Sequence, residues 1–144
     1  MILASRKVTM PLQVVVKPDR VEPFVFPFEV VKIIDGDTIR INIDLGFWIG
    51  VREQTLRLLR VNTPEIKGPT REAGMRAKAF TADWLKSHTN LLMRSRKAEP
   101  GHAVEDSFGR CLVEVYGDND KGEQECLNAA LLDSGNAVPF REGD

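Results

Sequence analysis

Leu56-Arg-Leu-Leu-Arg-Val-Asn-Thr-Pro-Glu65 is the stretch on which the reading of this chain turns. Its first half, Leu56 to Val61, mixes apolar residues with arginine as a strand with one buried face does. Its second half turns sharply, because Pro64 lacks an N–H and biases Thr63 away from helical geometry. One strand end then presents a guanidinium (Arg57), an amide oxygen (Asn62), a backbone carbonyl (Thr63) and a carboxylate (Glu65). Those groups suit a metal-assisted attack on a phosphodiester. They equally make a plain strand, a proline turn and solvated charges, and the stretch by itself does not separate the two readings.

Around it lie 144 residues, enough for one domain with a single core and no staples. Apolar content of 42% and charged content of 28% are those of an ordinary globular protein. No apolar run is long enough to span a bilayer, and the N-terminus lacks the apolar region of a secretory signal, so no membrane partner and a cytoplasmic location are expected. Cys111 and Cys126 have no metal-ligand spacing and read as small hydrophobes, with a single disulfide left open. The net charge of −1 hides a segregation. Eight basic residues fall between Lys67 and Lys97 against Glu72 and Asp83, whereas acids dominate from Glu114 to Glu125. A basic middle can attract a polyanion, but it can also simply solvate a helix face.

In chain order, residues 1–27 carry four prolines and read as an extended arm, with the compact domain expected over 28–144. Glu29 to Ile34 reads as a strand, Asp35-Gly36 as a turn, and Ile39 to Ile43 as a half-buried strand. Turn aspartates such as Asp35 and Asp37 commonly bond nearby backbone N–H groups. Gly46-Phe47-Trp48-Ile49-Gly50 is expected to be a packed loop, although Trp48 could stack a base. A helix is expected from Glu72 to Lys86, starting nearer Met75 because Gly74 costs about 1 kcal/mol against alanine. Phe80 and Trp84 face its core side. Leu91 to Arg94 and Cys111 to Tyr116 read as paired strands, broken by Glu99-Pro-Gly-His102. A turn cluster at Asp118 to Gly122 precedes a helix expected over Glu123 to Asp133, ended by Gly135. His88 and His102 read as surface residues. This order fits a mainly β (α+β) fold, a five-stranded Greek-key barrel of the OB type with two or three helices, and other small α+β folds as well.

Three motifs carry a family resemblance: Ile34-Asp-Gly-Asp-Thr38, Leu56 to Glu65, and Phe108-Gly-Arg110. Their order and spacing resemble those of the staphylococcal nuclease family, as do Ala79-Phe80 and Asn128-Ala-Ala-Leu131. The resemblance implies an OB-fold barrel and a calcium-dependent phosphodiesterase acting on DNA and RNA. Carried over by motif, it implies Asp37 as a metal ligand with Thr63 offering its carbonyl, Glu65 orienting or deprotonating the attacking water, and Arg57 and Arg110 gripping the phosphate. The chemistry is consistent with this. Attack adds charge to phosphate oxygens, which a hard cation and two guanidiniums offset, while a carboxylate supplies the base.

The departures are specific. The family's best-known enzyme has aspartate where this chain has Asn62, whose amide oxygen can still coordinate calcium but brings no charge. Weaker calcium binding, or use of Mg2+ or Mn2+, is the expected consequence. Ser107-Phe108 replaces a lysine-tyrosine pair that contacts phosphate, and the family's last helix with its stacking tyrosines has no counterpart before Asp144. The expected substrate is DNA or RNA, single-stranded or unstructured. The competing expectation is an OB-fold module that binds nucleic acid without cutting it.

Overall fold

The computed structural model describes residues 23–96 and 104–141. The expected arm as far as residue 22, Lys97, and the expected break at Glu99–His102 lie outside the described residues. The described strands are β1 (Val25–Asp35), β2 (Thr38–Asp44), β3 (Gly50–Leu58), β4 (Val61–Asn62), β5 (Thr89–Ser95), β6 (Cys111–Asp118), β7 (Gln124–Cys126) and β8 (Val138–Pro139). Helix α1 (Arg71–Ser87) follows β4, and α2 (Leu127–Asp133) follows β7.

β1, β2 and β3 form an antiparallel meander, and β5 and β6 form a second antiparallel pair. Two junctions close these five strands into a barrel. Val25–Pro27 of β1 pair antiparallel with Leu92–Arg94 of β5, and Leu56–Leu58 of β3 pair in parallel with Cys111–Val113 of β6. The result is the Greek-key OB barrel expected from the order of elements. Closure also explains why β1 starts at Val25 rather than Glu29: its first residues find a partner far away in sequence.

Alternation fills the barrel. Ile39, Ile41, Leu56, Leu58, Val113 and Val115 point inward and are fully buried. Leu127 and Leu131 of α2, and Trp84 and Leu85 of α1, cap the same core. Asn128 ties α2 to the parallel junction: its side chain accepts from the Val115 N–H at 3.0 Å and donates to the Leu59 and Val113 carbonyls at 3.0 and 3.1 Å. Among the described residues no helix is long and apolar enough to cross a membrane.

Several expectations need correction. The helix expected from Glu123 begins only at Leu127, because Gln124–Cys126 are drawn into pairing with Tyr116–Asp118. The strand expected to reach Val61 ends at Leu58, and the chain kinks at Arg60 with φ 62 before β4. Gly74 does not delay α1, which starts at Arg71. His88 is not a surface side chain: its ring stacks on Trp84 at 3.7 Å and its Nε2 meets Glu125 at 2.7 Å. Cys111 and Cys126, by contrast, agree with their reading as small hydrophobes: they are free thiols, both pushed up in pKa chiefly by burial, and the disulfide left open does not form.

The β2–β3 loop is not packed. Trp48 and Phe47 are 102% and 86% exposed, at a turn closed by Ile49 N–H to the Gly46 carbonyl at 2.9 Å. Both rings sit on backbone of positive φ, 62 and 54. Two left-handed central residues are what a tight hairpin turn of primed type requires, a place usually given to Asn-Gly.

Candidate active site

Two turns meet at one end of the barrel. The first is Asp35-Gly36-Asp37 between β1 and β2, and the second is Thr63-Pro64-Glu65 after β4. Helix α1 presses both together, and two glycines permit the approach. A Cβ on Gly36 would lie 2.8 Å from the Ala77 Cβ and 2.9 Å from Thr63 Cγ2. A Cβ on Gly74 would lie 2.5 Å from the Glu65 carbonyl oxygen, so the helical cost of this glycine is offset by contact with the turn. The buried Thr81 hydroxyl donates to the Gly36 carbonyl at 2.6 Å, and the Thr70 hydroxyl donates to the Glu65 carbonyl at 2.8 Å.

Asp37 is the knot of the site. It is 6% exposed, and its Oδ2 accepts the Thr63 N–H at 2.9 Å while its Oδ1 accepts the Thr38 hydroxyl at 3.0 Å. The carboxylate therefore does not bond the backbone of its own turn, as turn aspartates commonly do: the N–H it takes belongs to the second turn, and its local partner is the Thr38 hydroxyl. Arg57 is also 6% exposed. Its Nη1 donates to the Leu58 and Val61 carbonyls at 2.8 Å each, and its Nη2 donates to Asn62 Oδ1 at 3.1 Å and lies 3.4 Å from Asp37 Oδ2. Phe140 lies against the guanidinium, 5.6 Å from ring centre to Cζ.

Arg110 enters from the loop before β6 and is held differently. Asp106 accepts the Phe108 and Arg110 N–H groups at 2.9 and 3.0 Å, and the Arg110 Nε–H at 2.6 Å. Burial raises the Asp106 pKa, but these hydrogen bonds outweigh it and hold the carboxyl below the usual range. The side chain of Arg110 keeps 27% of its surface, with Nη1 3.5 Å from the Thr38 hydroxyl. Phe108 covers the guanidinium from one side at 5.1 Å.

Asp37, Arg57, Asn62, Thr63, Glu65 and Arg110 therefore line a single polar pocket of about 100 Å³, together with Asp35 and Pro64. All six residues singled out from sequence are brought together. A larger groove of about 580 Å³ lies at the other end of β2, lined by residues of the hairpin rather than by this cluster. Three further neighbours of the cluster do not stand out in the sequence: Asp35 reads as a turn residue, Thr38 only as part of a motif, and Asp106 only as lead-in to a strand. The i, i+4 spacing of Asp106 and Arg110 was the available signal for the last.

Asp35 reports the field inside the pocket. Its pKa is raised by burial and then by the Asp37 and Glu65 carboxylates, with Lys78 and Arg110 pulling the other way. Carboxylates repelling one another beside an amide and a carbonyl oxygen form an all-oxygen donor set, which suits a hard divalent cation. The set is sparse, however. Among the described residues no group of three or more His, Cys, Asp or Glu is placed to hold a metal ion. The Asn62 oxygen already accepts from Arg57. Such a site fits a cation that keeps part of its water shell.

A family model describing staphylococcal nuclease homologues matches residues 55–143, well over half of the chain. The chain belongs to the staphylococcal nuclease family. The family match spans Arg57, Asn62, Thr63, Glu65 and Arg110, whereas Asp35 and Asp37 lie before it and join the site through the fold.

Proposed function

We propose that the chain is a divalent-metal-dependent nuclease that hydrolyses phosphodiester bonds of DNA or RNA. The observation that carries the reading is the convergence of two arginines, an open carboxylate and an oxygen donor set in one polar pocket. A cation, calcium by family habit and Mg2+ or Mn2+ as candidates given Asn62, would be held by the Asp37 carboxylate and the Thr63 carbonyl, with the Asn62 amide oxygen as a neutral third. When bound it supplies positive charge against the charge that develops on the phosphate oxygens.

The protein groups do the rest. Glu65, exposed at the pocket, takes the proton of the attacking water on its carboxylate as the water oxygen bonds to phosphorus and the ester P–O bond breaks. Arg110, fixed through Nε and with its guanidinium partly exposed, grips the non-bridging oxygens. Arg57 contributes charge from below and holds Asn62 and the second turn in place. Single-stranded or unstructured substrate is the preferred class, because a pocket of about 100 Å³ admits one phosphodiester approached by a flexible chain.

The second reading is a barrel that binds nucleic acid without cutting it, favoured by the engagement of the Asn62 oxygen with Arg57. Cleavage and binding assays on Glu65→Gln separate the two. A nuclease loses cleavage by about a hundredfold or more and retains binding. A silent module shows no wild-type cleavage with any ion and unchanged binding.

A further inference from the structure

We propose that the tip of the β2–β3 hairpin and the groove beside it form a self-complementary interface through which two copies of this chain associate. The inference is independent of the nuclease reading. It begins with a conflict between turn chemistry and sequence. Phe47 and Trp48, with φ 54 and 62, fill the two central turn positions that normally go to Asn-Gly. A chain that places two bulky aromatics on left-handed backbone, and then exposes them almost completely, is using them for something other than folding.

The tip is one half of a contact, and the other half lies next to it. A groove of about 580 Å³ runs between the start of β1 and the start of β3, with Phe28, Ile43 and Val51 among its apolar lining. Trp48 and Ile49 of the tip form one wall of this groove, whose lining is of mixed polarity. A projecting knob beside a hollow on one face is what a two-fold contact requires, since each copy then supplies both halves. The aromatic contribution is of the right size. At roughly 150–250 Å² per ring, four rings from two copies bury about 600–1,000 Å². Leu45, Ile49 and Val51, all exposed, bring this to the ~1,200 Å² at which specific interfaces begin.

Charge chooses among occupants. The rim carries Glu29 and Asp44 against Arg52, an acidic balance that disfavours nucleic acid and anionic lipid. Asp44 is engaged by the Gly46 N–H at 2.8 Å. Glu29 and Arg52 have no side-chain hydrogen bond or ion pair among the described residues. They stand on β1 and β3, and Asn42 on the intervening β2 faces Glu29. Two unpaired charges of opposite sign flanking one groove pair crosswise when the face meets its own copy.

The test is the mass of the full chain in solution by sedimentation, from low to high micromolar concentration. The expected wild-type mass approaches twice 16.2 kDa. The double variant Phe47→Asn/Trp48→Gly supplies an ideal turn sequence, so it folds, and its dimer is weakened by about thirtyfold or more. Arg52→Glu weakens the dimer, and Glu29→Arg added to it restores association. A wild type that stays at single-chain mass throughout overturns the proposal, as does a double variant that dimerises like wild type. Burial of Trp48, seen as a blue shift on adding single-stranded DNA or phosphatidylcholine vesicles to a monomeric wild type, overturns it in favour of those partners.

Discussion

Arg57 and Arg110 carry the same group but are built for different work. Arg57 is buried and spends Nη1 on two backbone carbonyls, so its removal orphans the Leu58 and Val61 carbonyls and strips Asp37 of its counter-charge. Arg57→Ala should cost about 3 kcal/mol of stability as well as activity. Arg110→Ala should lower the denaturation midpoint much less than Arg57→Ala, by no more than the loss of its Asp106 pair, and still lower kcat/KM by about a hundredfold. Chemical denaturation and kinetics on the two variants check this; equal loss of stability in both would contradict the division of labour. Asp106 adds a pH signature. Its folded pKa is lowered, so its contribution to stability is complete above its unfolded value near 3.8 and disappears as pH falls through the folded value. Asp106→Asn should therefore flatten the loss of stability below about pH 4. A pH series of thermal melts on wild type and variant reads it directly.

Among the elements, α1 sets the site and α2 sets the barrel seam. Helix propensity alone says that Gly74→Ala gains about 1 kcal/mol. The opposite is expected here, because the new methyl would sit 2.5 Å from the Glu65 carbonyl oxygen. Melting temperature should fall by several degrees, and turnover should fall with it as Glu65 is displaced. A rise in melting temperature would contradict the clamp. Asn128→Ala should cost about 3 kcal/mol, since the Val115 N–H and Leu59 carbonyl lose buried partners, and urea unfolding measures it. These elements were legible to different degrees. β2 and α1 announce themselves by periodicity over many residues, as Ile39 to Ile43 illustrates. β7 does not, because Gln124–Cys126 are extended only through their pairing with Tyr116–Asp118. The exposed hairpin tip departs from the expected packed loop for a related reason. An apolar loop is normally covered, and only the fold reveals that nothing in the described chain reaches Trp48.

For the whole molecule, what could be read from sequence was which residues gather in the candidate pocket, and what could not was how each is held. Asp37, Arg57 and Arg110 are far apart along the chain and meet only through barrel closure, which no local pattern encodes. Motif order stood in for that information at the six pocket positions. It gave no hint that Arg57 would engage Asn62, or that Asp35 would feel two neighbouring carboxylates. The near-neutral net charge of −1 likewise says little about substrate. Binding to single-stranded DNA should weaken with salt, and Arg110→Ala should reduce the log–log slope by about 0.7, the share of one phosphate contact. An unchanged slope would remove Arg110 from the phosphate.

The most direct measurement is cleavage of a fluorescent single-stranded DNA by wild type and Glu65→Gln, with calcium, magnesium, manganese or EDTA. Cleavage that needs a divalent ion, stops in EDTA and falls about a hundredfold or more in Glu65→Gln is the expected result. Cleavage that persists in EDTA or in Glu65→Gln, or no cleavage with any ion while DNA is still bound, would contradict a metal-dependent nuclease centred on this pocket.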